Sequence, residues 1–80
     1  MDDEELVRRI NELAEEEHRL ERSEGPDGLS DDEQGRLRSI EVALDQCWDL
    51  LRQRRARRHA GLDPEDTAVR PGSVVEGYRQ

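Results

Sequence analysis

The strongest constraint on this chain is a register. Leu6, Ile10, Leu13 and Leu20 form one apolar seam, and Leu37, Leu44, Cys47 and Leu51 form another, both stepping by three and four residues. Such steps put each set on a single face of a helix. Leu6 can be paired with Leu51, Ile10 with Cys47, Leu13 with Leu44 and Leu20 with Leu37, so that partners' numbers always add to 57. A constant sum is what two antiparallel helices folded about one short loop produce. The expected fold class is therefore all-α: an antiparallel, coiled-coil-like two-helix hairpin.

Local signals give the boundaries. Asp2 followed by Glu5, and Ser30 followed by Glu33, read as capping boxes, with further acids in each first turn where the helix dipole favours them. Gly25, Pro26 and Gly28 interrupt the helical pattern between the two boxes. Near the other end, Arg54, Arg55, Arg57 and Arg58 precede Gly61, a sequence suited to a helix C-terminus. The hairpin is expected over residues 1–61, with helices over about 3–23 and 31–60 and a loop over 24–29. Residues 62–80 are expected to be an irregular, extended tail. Asp63-Pro64-Glu65-Asp66 could open one helical turn there, and Val69, Val74, Val75 and Tyr78 are its sparse apolar set. Such a tail is either disordered or laid along a groove of the hairpin, covering apolar flank.

Labelled as heptads, Leu6, Leu13 and Leu20 occupy d, and Leu37, Leu44 and Leu51 occupy a. The apolar stripe is wider than that seam, because Val7 and Ala14 fall at e on the first helix, Trp48 at e on the second, and Ala43 and Leu50 at g. A lone hairpin leaves such flanks wet, whereas two packed hairpins bury them. Eighty residues with 31% hydrophobic content also hold a small core, and one cysteine rules out an internal disulfide. A homodimer forming a four-helix bundle is the expected remedy, with Val7, Ala14, Ala43, Trp48 and Leu50 in its interface.

The net charge of −8 is unevenly spread. Residues 1–34 carry 14 acidic and 4 basic groups, and residues 35–60 carry 3 and 7. The register places Asp3 opposite Arg54 and Asp2 near Arg55, so much of this asymmetry reads as pairing within the hairpin. The cluster Arg54, Arg55, Arg57 and Arg58 is also the one candidate for a phosphate or nucleic-acid contact. Overall negative charge and the absence of interleaved aromatic residues weigh against it. No apolar run is long enough to span a membrane, the acids after Met1 do not suit a signal peptide, and a free thiol suits the cytoplasm, which is the expected location.

Other chemistry finds little support. Glu15 and His18 have the Glu-x-x-His spacing of di-iron helices, but the heptad frame turns both outward, where a solvated face is the simpler reading. Glu17 is the misfit in the seam, opposite Ile40, and is expected to reach outward or to pair with an arginine such as Arg36. Cys47 reads as ordinary core packing. No cofactor, metal or catalytic set is expected.

The runs Ile10-Asn11-Glu12-Leu13, Glu16-Glu17-His18-Arg19-Leu20, Asp45-Gln46-Cys47-Trp48-Asp49-Leu50-Leu51 and Val74-Val75-Glu76-Gly77-Tyr78 resemble a small actinobacterial family catalogued as domain of unknown function 2630. That resemblance covers nearly the whole chain. It implies a stand-alone cytoplasmic protein with no activity assigned, whose tail belongs to the domain. The reading carried forward is a non-enzymatic, homodimeric protein-interaction or adaptor module, the alternative being a nucleic-acid or phosphate-ligand binder.

Overall fold

The computed structural model of the chain describes residues 2–23, 25 and 28–76. The expected loop is thus seen only at Gly25, Gly28 and Leu29, and Tyr78 lies outside the described residues. Two long helices, α1 (Asp3–Arg22) and α2 (Asp31–His59), pack against each other, and a short α3 (Gly72–Glu76) packs on α2.

Both capping boxes form. The Asp2 carboxylate accepts from the Glu5 N–H at 2.8 Å, the Ser30 hydroxyl accepts from the Glu33 N–H at 3.2 Å, and each glutamate reaches back to its cap's N–H. These bonds satisfy donors that a helix start otherwise leaves without an intrahelical partner. Between the helices, the Gly28 N–H donates to the Gly25 carbonyl at 2.9 Å, with Gly28 at a φ of 79°. The left-handed region explains glycine there.

The core follows the register. Leu6, Ile10, Leu50 and Leu51 form one buried cluster, with Leu44 and Cys47 packed against it, while Leu13 and Ile40 are buried further along the hairpin. The same numbering continues into a polar layer, where Arg54 donates to Asp3 at 2.6 Å. At the hairpin's other end Arg36 forms a bidentate pair with Glu16, its N–H groups 2.6 Å from each oxygen. Arg36, named above as one arginine that could pair with Glu17, forms its ion pair with Glu16. Glu17 is half-buried and has an interaction of its own.

Helix α2 ends in a Schellman arrangement. The Gly61 N–H donates to the Arg58 carbonyl at 3.1 Å and the Leu62 N–H to the Arg57 carbonyl at 2.7 Å, with Gly61 at a φ of 76°. This reversal sends the chain back along α2. Residues 63–66 make a turn in which the Asp63 carboxylate accepts from the Glu65 N–H at 2.9 Å and the Asp63 carbonyl accepts from the Asp66 N–H at 3.2 Å.

The segment that follows differs from an irregular strand. Gly72–Glu76 is helical, the Val74 and Val75 N–H groups donating to the Pro71 carbonyl at 2.9 and 3.2 Å. Val75 is buried, whereas Val69 and Val74 are exposed. Gly72 allows the close approach: a β-carbon there would meet a Val42 methyl at 2.7 Å. A β-branched valine has few rotamers with which to yield.

Candidate functional site

The expected binding residues Arg54, Arg55, Arg57 and Arg58 sit in the last turns of α2, where the returning tail meets the start of α1. Arg54 is buried, with 4% of its surface exposed. Its guanidinium donates to Asp3 at 2.6 Å and to the Pro64 carbonyl at 3.3 Å, and lies 3.1 Å from a Glu65 oxygen. Arg58 donates to the other oxygen of Asp3. Arg57 donates to the Asp63 carbonyl at 2.5 Å and to the Asp66 carboxylate at 3.2 Å.

Three of the four arginines are thus held by this chain's own acids and carbonyls. Of the four, Arg55 is the exposed one with no ion pair to another described residue. Asp2 does not take it, because its carboxylate caps α1. The hydrogen bonds from Arg58 and Arg54 hold the Asp3 carboxyl far below its ordinary value of 3.8, and they raise both guanidinium groups in return. The arginine end is a clasp that ties α1, α2 and the tail into one unit.

The clasp continues along α2 as a ladder. Gln53 donates to the Ala68 carbonyl at 2.9 Å and Gln46 to the Arg70 carbonyl at 3.2 Å. Together with Arg54 and Arg57, they bond tail carbonyls in the reverse order along the helix, so the tail runs antiparallel to α2. Asp49 lies between the glutamines, buried to 3% exposure, accepting from Gln53 at 2.9 Å and lying 3.4 Å from the Arg70 guanidinium. These ladder residues escaped the sequence reading. Their signal was the spacing Gln46, Asp49, Gln53, which puts three short-range hydrogen-bonding groups on one helical face between arginines.

The tail covers one flank of the hairpin and leaves another open. Leu50, expected at a dimer interface, is 8% exposed and belongs to the chain's own core, and Ala43 is half-buried. Val7 and Trp48 each keep 44% of their surface exposed, and Ala14 is exposed. The g positions hold the Glu16–Arg36 pair and Leu50, on the side along which the tail returns. The e positions Val7, Ala14 and Trp48 mark the open one.

Removing residues 62–80 is expected to lower stability without abolishing the hairpin register. With the tail gone, Leu50 is uncovered, the buried Val75 is lost, and Arg54 gives up its bonds to Pro64 and Glu65. Each kcal/mol lost lowers the melting temperature by roughly 4 to 8 °C in a domain this small. Circular dichroism melts of the full and shortened chains read it directly.

The remaining candidates offer no converging chemistry. Glu15 and His18 are exposed. Among the described residues, no group of three or more His, Cys, Asp or Glu side chains could hold a metal ion. Cys47 is half-buried, and desolvation pushes its thiol up against the opposing pull of Arg9, which keeps it a neutral thiol and a poor nucleophile. No helix among the described residues is long and apolar enough to cross a membrane.

Uncharacterized proteins of Mycobacterium tuberculosis and Mycobacterium bovis are each 51% identical over 77 residues, covering 95% of this chain and 88% of the relative. No solved structure matches. A family model described as protein of unknown function matches residues 2–80, a span that takes in the hairpin, the clasp and the tail, and the chain belongs to that family, DUF2630.

Proposed function

We propose that this chain is a non-enzymatic, cytoplasmic protein-interaction module that works as a homodimer, two hairpins meeting through the flank marked by Val7, Ala14 and Trp48. The observation that carries this reading is Trp48, which stays 44% exposed on a hairpin whose other flank is covered by its own tail. A large aromatic side chain held out in water on a small domain, with Val7 exposed as well, favours an interface over a free surface. The second copy is the simplest occupant, because a two-fold axis sets the same apolar flank against itself and supplies the burial that an 80-residue core lacks.

Trp48→Glu tests it. In sedimentation at tens of micromolar, the natural chain is expected at twice its 9.3 kDa mass. The variant is expected as a monomer with unchanged helicity, since a glutamate on an exposed face leaves the hairpin core intact. A natural chain that sediments as a monomer across this range would remove the homodimer.

A further inference from the structure

Between α1, α2 and the returning tail lies an open cleft of about 390 Å³, at the smaller end of the range for small-molecule sites. Leu6, Ala43, Cys47, Leu50 and Val69 make its apolar wall. Most polar groups at its edge are already engaged: Gln46 donates to the Arg70 carbonyl, Thr67 donates to the Pro64 carbonyl, and Arg54 is shared between Asp3 and Glu65. Arg9 is different. It stands on the rim with half its side chain exposed, and its ion pair with Glu12 is a loose 3.7 Å contact between two solvated groups. Such a pair contributes little and exchanges readily.

From this arrangement we infer that the cleft binds a free, unbranched carboxylic acid of medium chain length, its alkyl chain against Leu6, Ala43, Cys47 and Leu50 and its carboxylate on Arg9. The chemistry follows from the walls. An apolar trough rewards alkyl surface at ~25 cal/mol per Å² removed from water. The rim supplies one planar cation, whose fork of N–H donors matches a carboxylate. At roughly 30 Å³ per water-sized group, the volume takes about a dozen such groups, which sets the chain length. This site lies on the tail-covered flank, away from Trp48, and does not depend on the dimer.

Cys47 is the single cysteine of the chain and lines the cleft, so its rate of alkylation by N-ethylmaleimide reports occupancy. With the full chain, submillimolar decanoate is expected to slow alkylation several-fold while circular dichroism stays unchanged. Arg9→Gln is expected to weaken protection by decanoate about tenfold and to leave protection by decanol as it was. Ala43→Phe, which fills the trough, is expected to abolish protection by both. The inference is overturned if decanoate fails to slow alkylation, if it speeds alkylation with loss of helicity, if protection survives Ala43→Phe, or if Arg9→Gln leaves decanoate unaffected.

Discussion

Replacing Leu51 with alanine is expected to leave a large fraction of the chain unfolded at room temperature. Leu51 is 2% exposed and sits in the cluster with Leu6, Ile10 and Leu50, next to the clasp. Truncating a buried leucine costs ~2 to 5 kcal/mol, the lost transfer energy plus the cavity left behind. A core of this size rarely supplies more than ~3 to 5 kcal/mol in total, so one such deletion consumes most or all of the margin. Leu51→Met keeps the volume and should cost less than ~1.5 kcal/mol. Urea titration followed by far-ultraviolet circular dichroism separates the two. Similar midpoints for both variants would mean that the seam is not the main source of stability.

That expectation rests on a register legible in the sequence, and the reason is geometric. Apolar spacing fixes which helical face is buried, and two capping boxes with an intervening Gly-Pro-Asp-Gly fix where each helix begins and where the chain reverses. Once two seams must meet antiparallel, the pairing of Asp3 with Arg54 follows without further information. Its depth does not follow. The sequence places Arg54 opposite an acid, but its burial depends on the tail arriving from the other side with Pro64 and Glu65.

The tail was hard to read because its contacts are made largely by main-chain carbonyls. Asp63, Pro64, Ala68 and Arg70 all offer carbonyl oxygens to side chains of α2, and a carbonyl is the same in every residue. Among the described tail residues only Val75 brings a buried apolar side chain, too small a signal to distinguish docking from disorder. Leu50 shows the same limit from the helix side. A wide apolar stripe states that something covers the flank, and the coverer here is the chain's own return segment. Arg57 and Arg58 also looked like a phosphate site for a physical reason: Asp63, Asp66 and Asp3, which occupy them, are brought there by the fold and not by proximity along α2.

The clasp makes stability depend on pH, and the direction follows from Asp3. Hydrogen bonds from Arg58 and then Arg54 outweigh desolvation and hold its folded-state carboxyl well below the ordinary 3.8. Glu16, bonded by Arg36, and Glu33, bonded by the Ser30 backbone and hydroxyl, are displaced the same way from 4.5. For a group lowered on folding, the unfolded chain binds protons first as pH falls, so its stabilisation is complete above the ordinary value and is lost between that value and the folded one. The protein is therefore expected to hold a flat urea midpoint near neutrality and to lose stability progressively as pH falls through and below about 4.5 to 3.8. Asp3→Asn isolates the clasp. It keeps the side chain's size but cannot ionise, so the variant should be less stable at pH 7 and should show a shallower acid decline, the two curves converging at low pH. Curves that stay parallel through the acid range would show that the Asp3 charge does not hold the three segments together.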